Sequence, residues 1–266
     1  MNILEVSGNS LIRQLDYIGC LTLQFQSSMR ASRHVLPLVG KRGRWRTAMR
    51  QMLAIGVQGL PMIAVLSTCV GLILSIQVAA ELQRFGAIQL VINIVAVGFT
   101  RELGPLVTAI VVSGRSGSAF SAEIGTMVAT NEIDALRTMS IDPVEFVVTP
   151  KYLAAIIAVP CLTIMSSLSG ILAGAGFMYL MTDMTLRIYM TYVFDSILLR
   201  DVVMGLVKSI AFATVISQVG CMEGLKVRGG PEAVGRSTTS AVVKSTFLVI
   251  LTDLMFTATF YMLGVR

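Results

Sequence analysis

Of the 266 residues, 55% are hydrophobic and only 14% charged, where soluble domains carry roughly 25% charged residues. With a mean hydropathy of +0.78, that composition excludes an ordinary soluble domain and points to an integral membrane protein. The formal net charge of +6 comes without any basic patch interleaved with aromatics, so nucleic acid is not the implied partner.

Residues 1–50 hold eight basic side chains (Arg13, Arg30, Arg33, Lys41, Arg42, Arg44, Arg46, Arg50) and the only tryptophan, Trp45. Leu11, Leu15, Ile18 and Leu21 or Thr22 recur at helical spacing, with Arg13, Gln14 and Gln24 on other faces. This pattern predicts a basic amphipathic helix lying in the membrane interface; a basic solvated tail is the alternative. Glu5 and Asp16 interrupt the region and leave no apolar core for a secretory signal.

Residues 51–266 form the second unit. Apolar runs over residues 52–80, 87–113, 152–181, 202–222 and 240–264 are each near or above the ~20 residues that span hydrocarbon as a helix. The expected fold is therefore all-α, with five transmembrane helices. With the N-terminus inside, the inner segments hold fourteen Lys and Arg, and the outer loops and C-terminus hold four (Arg84, Arg187, Arg200, Arg266). That asymmetry places the N-terminus in the cytoplasm and the C-terminus outside.

The second run carries an unusual pair, Arg101 and Glu102, three residues before Pro105. A charge at the bilayer centre costs several kcal/mol, from about 2.5 upward. Lys208 lies within the fourth run and Asp253 within the fifth, so the four charges sum to zero. Adjacent residues diverge by about 100° around a helix, so Arg101 and Glu102 need partners on other helices. Charge balance suggests Glu102 with Lys208 and Arg101 with Asp253, although charge alone leaves the pairing open. Pro105 deprives a carbonyl one turn earlier of its donor and permits a kink. Such a costly set marks a pathway or moving part more often than a packing clamp.

Further along, "GRSG" (Gly114–Gly117) invites an intramembrane serine protease reading with Ser116 as nucleophile. That chemistry needs a histidine base, and the one histidine, His34, precedes the first run. The simpler reading is a small-residue packing face of Gly114, Ser118 and Ala122, matched by Gly170 and Gly174 in the third run. The loop Ser121–Pro143 has apolar residues at threes and fours, with Glu123, Glu132, Asp134 and Arg137 among them. It predicts one short amphipathic helix exposed to the cytoplasm. The four cysteines form no C-x-x-C pair, and the lone histidine cannot make a His-based metal site. The only Gly-Lys, Gly40-Lys41, is followed by Arg42, so there is no P-loop for ATP.

The blocks "RELGPLVTAIVVSGRSGSAFSAEIGTMVATNEIDALRTMSIDPVEFVVTPKYLA" (Arg101–Ala154) and "GGPEAVGRSTTSAVVKS" (Gly229–Ser245) closely resemble the signature of MlaE-type (YrbE) permeases. The likeness covers about 200 residues, from the first run to the end. It implies the permease subunit of an ABC-type transporter that moves phospholipid between the bacterial inner membrane and the periplasm, maintaining outer-membrane lipid asymmetry. It implies a homodimer, a cytoplasmic ATPase dimer holding ATP and Mg, a periplasmic MCE-domain ring and often a small STAS-domain protein. This chain would bind no cofactor itself. Carried over, Ser121–Pro143 is similar to the coupling helix that docks on the ATPase, through Glu123, Glu132, Asp134 and Arg137. Arg101, Glu102, Lys208 and Asp253 match the family's intramembrane charged cluster. A mostly apolar lipid cavity is expected, and the stripe Leu74, Val78, Leu82 and Phe85 is its candidate lining, with ordinary packing as the alternative. Two other readings stand beside this one: the serine protease, and a proton-coupled transporter using the buried carboxylates as a relay.

Overall fold

The computed structural model describes residues 42–87, 89–182 and 185–264, with six positions between 19 and 27. Most of the expected interfacial helix of residues 1–50, Trp45 included, lies outside the described side chains. Among the described residues five helices are long and apolar enough to cross a membrane: Ala48–Arg84, Leu90–Ala129, Val144–Met181, Leu199–Leu225 and Pro231–Met262. They overlap the five predicted runs but extend beyond most of them, because helix propensity continues into the polar flanks where hydropathy stops. The fourth span is the most buried of the five and the fifth the least. The first span packs mainly on the third, and the second and fifth pack on the fourth.

Close approach of backbones fixes this packing. Gly71 of the first span faces Gly170 of the third, and a Cβ at Gly170 would run into the Phe99 ring. Gly220 of the fourth span lies against the Gly117 carbonyl of the second. Without side chains at these positions the helices come close enough for extended van der Waals contact. Gly170 and Gly174 are thus packing residues, as their spacing predicted.

The second span is not a regular helix. Two turns, Phe99–Leu103 and Ser113–Gly117, close through i→i+5 bonds, and a third such turn, Val144–Val148, opens the third span. Each wide turn adds one residue to the helical repeat. The buried stripe of the second span records both insertions. It runs Val91, Val95, Phe99, then five residues to Gly104, Thr108 and Val112, then five again to Gly117, Ser121 and Gly125. The predicted face Gly114, Ser118, Ala122 is therefore off by one residue: Gly114 is exposed with open space beside it, and Gly117, Ser121 and Gly125 make the contact.

The segment Ser121–Pro143 is not one helix. The second span continues to Ala129, and Asn131 adopts the left-handed conformation at φ 60°, which asparagine tolerates better than most residues. A separate short helix, Glu132–Thr138, follows. It buries Ile133 and Leu136 against the bundle and leaves Glu132, Asp134 and Arg137 exposed. Pro143 stands at the entrance to the third span rather than ending a helix, a place where its missing N–H costs nothing. At the opposite end, Leu186–Ser196 forms a surface helix anchored by the buried Tyr189, whose hydroxyl donates to the Ile171 carbonyl at 3.2 Å. Burial pushes this phenol up to about 12, so it remains a neutral donor at physiological pH.

Candidate functional site in the membrane spans

The wide turn Phe99–Leu103 sets up the first ionic cluster. Gly104 donates to the Phe99 carbonyl five residues back, so Pro105, which has no N–H to give, follows a turn already opened. Thr100 donates to the Ala96 carbonyl at 2.8 Å and returns a further polar group to the chain. From this turn Arg101 and Glu102 diverge to different helices, as their adjacency requires.

Lys208 of the fourth span is 1% exposed and sits at the centre. It donates to Glu102, to Asp253 Oδ1 at 2.8 Å and to Thr257 Oγ1 at 2.8 Å. All three ammonium protons therefore have acceptors, which is the condition for a lysine in an apolar interior. The expected pairing of Glu102 with Lys208 is present. The expected pairing of Arg101 with Asp253 is not: Asp253 shares Lys208, and Arg101 pairs with Asp201, Nε at 2.6 Å and Nη2 at 2.5 Å from Oδ1. Asp201 is 1% exposed, and its second oxygen accepts from the Leu198 backbone N–H at 2.9 Å. It thereby caps the fourth span while holding an arginine of the second. The cluster consequently has five core charges and a net charge of −1, offset at its rim by Arg200 at 3.9 Å from Asp201.

Sequence reasoning passed over Asp201, assigning it to the outer loop. The available signal was an acid in the first turn of a span, a position that reads as a cap; nothing in that signal points to Arg101. A cleft of about 150 Å³ opens on the cluster, lined by Arg101, Glu102, Met204, Lys208, Thr257, Phe260 and Tyr261. Arg101, Glu102 and Lys208 thus line an aperture, while Asp201 is sealed behind them.

The other end of the bundle holds a second polar layer. Lys151, 2% exposed, pairs with Glu123 and lies 5.3 Å from the centre of the Phe120 ring. Glu223, 6% exposed, accepts from Lys244 at 2.9 Å and Ser240 at 2.6 Å. Ser237 bridges from the Glu223 carbonyl, at 2.7 Å, to Ser121, at 2.8 Å. Glu123 is therefore tied to the third span, while Glu132 accepts from Thr130 and Arg137 pairs with Asp134 at 3.2 Å on the surface.

Leu74, Val78 and Leu82 are partly buried against the core formed by Val91, Val95, Phe99, Ile171 and Tyr189; Phe85 is exposed. The stripe is a packing face over three of its four residues. Ser116 is buried in the second wide turn, and His34 lies outside the described residues. No group of three or more His, Cys, Asp or Glu among the described residues is arranged to hold a metal ion.

Comparison with known proteins agrees with this architecture. The chain matches the family model "Permease MlaE" over residues 48–259. It is 37% identical to a "Probable ABC transporter permease protein" of Rickettsia typhi, over 79% of this chain and 81% of that one. It is 35% identical to the protein "TRIGALACTOSYLDIACYLGLYCEROL 1, chloroplastic" of Arabidopsis thaliana, over 87% of this chain and 66% of that one. A permease of Synechocystis is 35% identical over 78% of this chain and 79% of its own length. With five membrane-length helices, and with its described core inside the matched range, the chain belongs to the MlaE permease family.

Proposed function

We propose that this chain is the membrane-spanning subunit of an ABC-type phospholipid transporter, working as a homodimer in the bacterial inner membrane with its N-terminus cytoplasmic. ABC permease kinship implies a separate ATPase, consistent with the missing P-loop. The Lys208 cluster, open to a cleft among membrane-spanning helices, carries the reading. It places a costly set of charges where spans two, four and five meet, so that any relative movement of those spans must remake these bonds. The lipid assignment draws support from the Arabidopsis relative, whose name is that of a glycerolipid.

In this account ATP-driven closure of two ATPase subunits pulls on the short helix Glu132–Thr138, whose buried Ile133 and Leu136 transmit the displacement to the bundle. The spans then shift, the cluster exchanges partners, and lipid is passed to or from a periplasmic MCE-domain ring. A STAS-domain protein on the cytoplasmic side completes the assembly. Mass spectrometry of the gently solubilised chain tests the whole reading. Co-purifying phospholipid together with an ATPase is the expected result, and a chain that carries neither would defeat it.

A further inference from the structure

The second wide turn, Ser113–Gly117, holds another arginine of this helix, Arg115. The two arginines of this span differ in one respect. Arg101 is neutralised by Asp201, whereas Arg115 has no carboxylate partner among the described residues. Its Nη2 donates to Gln58 Oε1 at 2.6 Å and its Nη1 to the Ala54 carbonyl at 3.4 Å. A guanidinium has five N–H donors, so three remain without an acceptor among the described residues.

The turn is built to hold this side chain in place. Ser113 at its start bonds Ser245 at 2.5 Å and Thr246 at 3.2 Å on the fifth span. Gly117 at its end is pressed against the fourth span near Ile216 and Gly220. With both ends anchored, the inserted residue turns Arg115 toward the first span. Arg115 follows the apolar run of residues 87–113 directly and is one of the basic residues of the inner segments, a position from which a long side chain reaches lipid headgroups. Beside it the surface is apolar and open: Met62, Val65 and Leu66 continue along the first span and Ile110 along the second, each more than a third exposed.

A cation with no carboxylate partner among the described residues, beside an apolar wall, fits an amphiphilic anion. We infer that Arg115 and Gln58 form a seat for the phosphate of a phospholipid, with its acyl chains along Met62, Leu66 and Ile110, separate from the Lys208 cluster. The inference rests on the lipid-transport reading. It deepens that reading by giving the substrate class a recognition element: a phosphodiester oxygen accepts the fork of N–H donors that a carboxylate accepts at Arg101.

The test uses the full chain assembled with its ATPase in proteoliposomes, with p-benzoyl-phenylalanine replacing Met62. Radiolabelled phosphatidylglycerol should crosslink on illumination, and diacylglycerol of the same chains should not. Arg115→Gln should reduce capture roughly tenfold, the factor carried by one lost charge-assisted hydrogen bond, while Arg115→Lys restores much of it. Co-purification of the ATPase monitors the fold of each variant. Competition by millimolar glycerol phosphate would assign the seat to a soluble phosphate ester instead of a lipid. Equal capture of diacylglycerol, capture indifferent to Arg115→Gln, or crosslinking to a second copy of the chain would each overturn the inference. Lipid transport measured in parallel separates the two claims: transport without Arg115-dependent capture removes only the seat, and absence of transport in the parent chain removes the reading beneath it.

Discussion

On Lys208 three acceptors from two other spans converge. Replacing it by methionine would leave Glu102 and Asp253 facing each other without a cation. Breaking a buried ionic set in this way costs about 3–5 kcal/mol, so Lys208→Met should lower the unfolding midpoint in detergent sharply. Asp253→Asn should cost less, because Glu102 and Thr257 still serve the ammonium. Equal losses in the two variants would contradict the central place of Lys208. The arrangement also alters what charge exchange can achieve: in Glu102→Lys combined with Lys208→Glu, the new glutamate meets Asp253, so rescue should be incomplete. On the helix Leu186–Ser196, which is not one of the five spans, Tyr189 offers a pH test. Its folded pKa is raised by burial to about 12, so its stabilisation is complete below the ordinary phenol value near 10. It is lost as pH rises from there through the folded value. Tyr189→Phe should flatten the alkaline limb of a stability profile between about pH 10 and 12, and an unchanged limb would remove Tyr189 as its source.

At the scale of the element, the two wide turns of the second span decide where its charges point. Each turn inserts one residue into the buried stripe, leaving that stripe continuous while rotating what lies between. Deleting Gly114 would close the second turn to an ordinary helical one, so that the five-residue step becomes four and Ser121 and Gly125 stay in phase with the fourth span. It should therefore leave the bundle assembled, as should Gly114→Ala at an exposed position with open space, whereas inserting a further residue after Gly114 should abolish assembly. Size-exclusion profiles of the deletion and the insertion distinguish them. These turns also explain where sequence reading succeeded and failed. The five spans, the pairing of Glu102 with Lys208 and the packing at Gly170 and Gly174 follow from hydropathy, charge balance and small-residue spacing. The face Gly114, Ser118, Ala122 was misplaced because a 3.6-residue template carries no sign of an i→i+5 turn. Asp201 was missed because the same acid at a helix start serves equally as a cap. The break at Asn131 was hidden by apolar spacing that continues across it.

For the whole molecule, the fourth span is the hub and the first and fifth are peripheral. The polar layers lie on either side of the bundle's middle. The Arg101–Asp201–Lys208 layer faces the end bearing Leu186–Ser196, and the Glu123–Lys151 and Glu223–Lys244 layer faces the end bearing Glu132–Thr138. In the proposed cycle these two layers are the contacts that a relative movement of the spans would have to remake. Reversing Glu132 and Arg137 together should release the ATPase on co-purification without unfolding the bundle, since both side chains are exposed. Loss of thermal stability in that variant would instead assign the pair to the fold. The account as a whole meets its most direct test in proteoliposomes containing this chain and its ATPase, scored by the transfer of labelled phospholipid out of the bilayer or into it. Transfer that requires ATP and is lost in Lys208→Met is the predicted result. Transfer driven by a proton gradient with no ATPase present would contradict it.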